Sequence, residues 1–223
     1  MKGWAVVLVL ILVLMTILLS NCTTNQVLSQ DKEEPVVLGE VPEQAQRVGG
    51  ENMPKVLFII AQANFRDEEL AKPKAILENA GYDVEVASIT TSTAIGMLGA
   101  RVKPDLAIKD AIINDYVLIV VVGGSGAPEL ANHPEVLNLL SQAKNNDKKI
   151  AAICLGPMAL AKAGVLQGKQ ATVFKTSDSI AALKNGGAIF VDQSVVVDAG
   201  LVTANGPGAA AEFGNELVKL LKS

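Results

Sequence analysis

The stretch Lys149–Gly164, KIAAICLGPMALAKAG, decides the fold. Lys149 to Ile153 is a short apolar run, which reads as a strand buried on both faces. Pro157 to Ala163 reads as a helix. Pro157 suits its first turn, where no N–H is needed, and Gly164 stops it. Cys154, Leu155 and Gly156 are the turn between. A residue at such a strand-to-helix corner is expected to be pushed into the open on a strained backbone. The positive end of the helix beside the sulfur should favour thiolate over thiol. The alternative is a small buried hydrophobe, which free cysteines often are. Position alone leaves both open.

The same alternation runs outward from this stretch. Lys55 to Ala61 (KVLFIIA) is another continuous apolar run, and Asp67 to Ala80 has helical spacing that ends at Gly81. Tyr82 to Ser88 reads as a strand, and residues 89–104 as a loop with a short hairpin. Val117 to Val122 (VLIVVV) is a buried strand that ends at Gly123-Gly124. Pro134 to Asn145 is helical. Ala171 to Phe174, Ile189 to Val191, Val195 to Asp198 and Leu201 to Ala204 read as short strands, and Ala209 to Leu221 as a closing amphipathic helix. There is no internal repeat. Strands of this kind separated by helices predict an α/β domain with a mainly parallel sheet covered on both faces. Sites in such folds lie at the carboxyl ends of the strands. Residues 62–69, 123–128 and 154–157 fall there.

The chain has 223 residues, half of them hydrophobic, and a net charge of −4. That balance speaks against a nucleic-acid partner, which calls for a basic face. One His and two Cys leave almost no ligands for a zinc site. Lys2 followed by the uncharged run Trp4–Leu19 reads as a targeting segment or membrane anchor. Leu19-Ser20-Asn21-Cys22 resembles a bacterial lipoprotein cleavage box, with Asn21 where a small residue is usual. Cys22 is then the expected lipidation site. Residues 1–21 are read as the signal segment, 22–53 as a polar tether and 54–223 as the domain, outside the cytoplasm and anchored in the cell envelope. An acylated Cys22 leaves Cys154 with no internal disulfide partner.

Three further features face Cys154 in this scheme. Backbone N–H groups of Gly123 and Gly124, with that of Leu155, could line an oxyanion pocket. An ordinary glycine turn is the plainer reading. Asp67, Glu68 and Glu69 open the first helix, where acids commonly complement the dipole. One of them could instead reach across the strand ends toward Cys154.

These pieces together, KVLFIIA, FRDEELAKP, VLIVVVGGSGAPEL, KIAAICLGPMALAKAGVLQGKQAT and NGPGAAAEF, resemble in order the landmarks of the DJ-1/PfpI superfamily. The resemblance runs from about Lys55 to Leu221. It implies the class I glutamine amidotransferase-like, flavodoxin-like three-layer sandwich. It further implies that Cys154 is the nucleophilic or oxidisable thiol, that Glu69 (with Glu68 as fallback) hydrogen-bonds the thiolate, and that Gly123, Gly124 and Leu155 are the backbone donors. Gly206-Pro207-Gly208 matches a loop near the site and the dimer interface. Two departures stand out. Leu155 occupies the place of the His that follows Cys in PfpI-type peptidases. Phe174 is the nearest match to the His of the deglycase-like branch. The one His, His133, reads as a surface or capping residue. Without a base or proton donor, peptide hydrolysis is disfavoured. The resemblance then implies glyoxalase- or deglycase-type action on reactive dicarbonyls. The alternatives are redox sensing through Cys154 and, third, PfpI-type peptidase or amidase action. No cofactor is expected. The expected partners are a small carbonyl compound or oxidant, the membrane through the N-terminal anchor, and a second copy in a homodimer.

Overall fold

The computed structural model describes residues 53–223. The signal segment, the lipidation site Cys22 and nearly all of the tether lie outside the described residues. Among those described, no helix is long and apolar enough to cross a membrane.

In chain order the strands are β1 (Lys55–Ile59), β2 (Ala63–Phe65), β3 (Asp83–Ser88), β4 (Ala94–Gly96), β5 (Arg101–Val102), β6 (Leu106–Ala107), β7 (Tyr116–Val121), β8 (Lys149–Ile153), β9 (Gln170–Ala171), β10 (Ile189–Phe190), β11 (Val195–Asp198) and β12 (Leu201–Ala204). The helices are α1 (Asp67–Asn79), α2 (Ala127–Leu130), α3 (Pro134–Asn145), α4 (Pro157–Lys162), α5 (Ser177–Asn185) and α6 (Ala210–Lys222). Seven strands form the central sheet in the order β11-β12-β8-β7-β1-β3-β6, and only the β11–β12 pair is antiparallel.

Period-two alternation sends successive β1 residues to opposite faces. Leu57 and Ile59 join one core with Leu139 and Leu140 of α3, Leu160 of α4 and Leu183 of α5. Val56 and Phe58 join the other with Leu70 and Leu77 of α1 and Phe213 and Leu217 of α6. Both faces are therefore covered, and the result is the three-layer α/β sandwich with a mainly parallel sheet. Helix α3 shows how sequence spacing sets packing. Its buried residues Val136, Leu139, Leu140 and Ala143 fall on one helical stripe. Burial of a side chain such as Leu140 stabilises by about 1.5–3 kcal/mol.

Two local expectations change. The strand read over Ala171–Phe174 shrinks to Gln170–Ala171, because the Thr172 N–H turns away to the Thr203 hydroxyl. Helix α5 is additional. A reciprocal Thr176–Ser179 capping box starts it. The hairpin expected within residues 89–104 is present as β4 and β5, and it pairs through β4 with β2 rather than with the central sheet.

Candidate active site

Strand β8 ends at Ile153, and Cys154 turns the chain with φ +62°, a left-handed conformation that costs a non-glycine residue roughly 1–2 kcal/mol. The surroundings hold it there. Its N–H donates to the Ala204 carbonyl on β12, and its carbonyl accepts the Phe174 N–H, each at 2.8 Å. Gly156 lies against the end of β7, where a Cβ would come within 2.6 Å of the Val121 carbonyl oxygen. The elbow is thus clamped between its two neighbouring strands.

The thiol does not stand in the open as the corner suggested. Cys154 is 7% exposed and belongs to the core between the sheet, α1 and α6. It is also flanked by polar groups. The N–H groups of Gly124 and Leu155 lie near enough to the sulfur to act on it. Gly123 is packed so closely that a Cβ there would fall 2.4 Å from both the Cys154 Cβ and Glu69 Oε2. Those contacts bring Cys154, Glu69, Gly123, Gly124 and Leu155 into one cluster.

The three acids of α1 have separate fates. The Asp67 carboxylate accepts the N–H groups of Leu98 and Ala100 at 2.9 and 2.8 Å and holds the β4–β5 hairpin. Glu68, the fallback, pairs with Arg66 at 2.8 Å and is not the group aimed at the thiol. Glu69 is completely buried. Neither of its carboxyl oxygens has a hydrogen bond of good geometry. The Cys154 thiol and the Gly123 N–H lie close enough to act on it without forming a hydrogen bond of good geometry.

Burial pushes the Glu69 carboxyl up to about 7, and the thiol, the Arg66 charge and the Gly123 N–H offset this only in part. Burial also pushes the Cys154 thiol up to about 12; the Glu69 charge adds to the rise, and the Gly124 and Leu155 N–H groups oppose it. This corrects the expectation of a thiolate favoured by the helix N-terminus. Helix α4 has only six residues, and desolvation outweighs its end. The dyad sheds its first proton near neutrality. Glu69 is then a buried base beside a thiol rather than a permanent acid beside a thiolate.

The remaining sequence candidates sit around this cluster. Phe174 is 45% exposed and, with Lys175, Asn205, Gly206 and Pro207, lines a cavity of about 310 Å³ beside the elbow. Its ring lies against Gly206, where a Cβ would be 3.4 Å from Cδ2. His133 precedes α3, with Nδ1 3.5 Å from Glu135 and Nε2 3.9 Å from Glu129, and borders a different cavity with Gln62, Asn64 and Gly126. Among the described residues no three His, Cys, Asp or Glu side chains converge as a metal site would require. The sequence reading missed the contribution of Arg66, whose N–H ties Gly123 in place at 3.0 Å and whose charge acts on Glu69.

Residues 54–220 match the DJ-1/PfpI family. A protein of Methanocaldococcus jannaschii is 39% identical over 216 residues, 96% of this chain and 97% of that one. That similarity therefore extends into the segment before residue 54. The deglycase PfpI of Pyrococcus furiosus is 32% identical over 170 residues, 75% of this chain and 99% of its own. Among solved structures, a ThiJ/PfpI domain protein from Brachyspira murdochii superposes with a TM-score of 0.73 at 31% identity, over 76% of this chain and 97% of that one. Drosophila melanogaster DJ-1beta does so at 0.69 and 29%, over 76% of this chain and 90% of that one.

Proposed function

This chain belongs to the DJ-1/PfpI family, and we propose that within it Cys154 and Glu69 act together on reactive dicarbonyls, in glyoxalase- or deglycase-type chemistry. The observation that carries this reading is Glu69, a wholly buried carboxyl poised near 7 against a thiol on a clamped elbow. A base is most effective when its pKa lies near the working pH. The relatives named deglycase agree in direction.

The chemistry follows from the arrangement. Glu69 carboxylate takes the thiol proton as Sγ forms a bond to the aldehyde carbon. The C=O electron pair moves to oxygen, beside the N–H groups of Gly124 and Leu155, which stabilise developing charge. The Glu69 acid then protonates that oxygen, and a hemithioacetal results. For a 2-oxoaldehyde, one proton next moves from the aldehyde carbon to the ketone carbon, and one from the first oxygen to the second. The product is the thioester of a 2-hydroxy acid, which water cleaves to the acid and the free thiol. The predicted signature is methylglyoxal consumption by the wild-type chain and none by Cys154→Ala. Activity retained in that variant contradicts the reading.

A second reading, redox sensing, draws on the absence of an imidazole at Leu155 and Phe174. It predicts Cys154 sulfinic acid after mild peroxide, and an inert thiol argues against it. Peptidase action is the least supported, because the leaving amine finds no proton donor at those positions. Casein cleavage that depends on Cys154 would restore it. We also propose that the domain is held in the envelope through Cys22 and works as a homodimer. Labelling of the chain with a fatty-acid probe, lost in Cys22→Ser, tests the anchor.

A further inference from the structure

The β4–β5 hairpin carries a sulfur that the mechanism does not use. Met97 follows β4 and is 42% exposed. Its N–H donates to the Phe65 carbonyl at 2.9 Å, and its Sδ accepts the Ser125 N–H at 3.3 Å. Ser125 directly follows Gly124, and Gly124 follows Gly123, where a Cβ would fall 2.4 Å from the Cys154 Cβ. The loop between them has little slack. A Cβ on Gly124 would lie 2.3 Å from the Asn64 carbonyl oxygen and 2.5 Å from the Arg66 nitrogen. One on Gly126 would lie 1.9 Å from the Ala63 carbonyl oxygen. Met97 is therefore a strut between the hairpin and the loop that backs Cys154, and the hairpin is itself fastened by Asp67.

We propose that Met97 is a second oxidation site of this protein, converted by hydrogen peroxide to predominantly one sulfoxide epimer, and that its oxidation lowers the reactivity of Cys154. A thioether sulfur has two lone pairs. The Ser125 N–H engages one, which leaves the other open to the oxidant. That lone pair attacks one peroxide oxygen, the O–O bond breaks, and the S–O bond forms. Proton transfer to the departing oxygen releases water. Sulfur is oxidised by two electrons and peroxide is reduced by two. Attack through one lone pair alone fixes the configuration at sulfur. The new oxygen lies on the side away from Ser125 and withdraws electron density from the lone pair that remains, so the Ser125 N–H loses its acceptor and the loop at Gly124 loses its tie to the hairpin. Cys154 loses part of its backbone support. This inference does not depend on whether Cys154 turns over carbonyl compounds.

The test uses the full chain, treated with mild peroxide and then with dithiothreitol, which returns sulfenate to thiol and leaves sulfoxide in place. The tryptic peptide Ala75–Arg101 has Met97 as its only methionine, and Val48–Lys55 has Met53 as its only one. Each peptide is then exposed to the two methionine sulfoxide reductases, which act on opposite epimers. One reductase should restore nearly all of the Met97 peptide and the other almost none, whereas exposed Met53 should need both. The iodoacetamide rate constant of Cys154 should fall about threefold after the peroxide cycle, the weight of one modest hydrogen bond. It should not change in Met97→Leu. Equal restoration of Met97 by both reductases overturns the proposal. So does an unchanged Cys154 rate constant, or the same slowing in Met97→Leu.

Discussion

Replacing Glu69 with Gln removes the one ionisable carboxyl buried against Cys154 and keeps its shape. In the folded protein that carboxyl titrates near 7 rather than at its ordinary 4.5, because burial disfavours its charge. The folded state therefore holds a proton that the unfolded chain has already released over this interval. Stability from this group is complete below about pH 4.5 and is lost as the pH rises through 7. The loss amounts to about 3 kcal/mol, or roughly 6–12 °C in Tm for a domain of this size. The glutamine side chain of the variant cannot ionise. Its amide introduces a polar group that costs the same at every pH, and the remaining carboxylates, such as Asp67, Glu68 and Glu85, are common to both proteins. Urea unfolding followed by circular dichroism at pH 5 and pH 8, in wild type and variant, isolates the Glu69 contribution as a double difference. The variant should be relatively more stable at pH 8 than at pH 5 by about 2–3 kcal/mol, since a small part of the loss has already occurred by pH 5. A double difference below about 1 kcal/mol would refute a buried, charge-averse Glu69.

Gly123→Ala should abolish Cys154 reactivity and destabilise the fold by about 1–3 kcal/mol, since the new Cβ would collide with the Cys154 Cβ and Glu69 Oε2. Alkylation kinetics and urea melts check both parts, and a wild-type rate would count against the cluster as described. Phe174→His should increase dicarbonyl turnover severalfold, because an imidazole would supply the proton relay that the elbow lacks; a progress curve with methylglyoxal reads this directly. Glu68→Gln should leave turnover near wild type, because its carboxylate is committed to Arg66 rather than to the thiol.

The layout of the domain was legible wherever packing dictates sequence. Continuous apolar runs such as VLIVVV mark strands covered on both faces over most of their length, and Pro134–Asn145 declared its helix by period and by Pro at its start. Helix α5 was not legible, since it offers only Ile180 and Leu183 as periodic apolar residues beyond alanines. Its signal was the Thr176–Ser179 cap, a side-chain device of a few atoms. At the site, the elbow was visible in A-I-C-L-G-P. Which of three successive acids faces it was not visible from composition, because each step along a helix turns the side chain by about 100°. The state of the thiol was legible in neither. A helix end and a corner predict an open, acidic thiol; burial of the elbow reverses both, and burial is a property of the packed whole.

In the proposed site Cys154 and Glu69 form one coupled unit, in which a buried carboxylate is the base for a buried thiol. The pH dependence of the Cys154 iodoacetamide reaction, in wild type and Glu69→Gln, tests it most directly. The wild-type rate should rise through about pH 7, as Glu69 gives up its proton. In the variant that step should be absent, and the rate should stay low until strongly alkaline pH. Identical profiles in the two proteins, with a single step in the range of an ordinary free thiol, would contradict it.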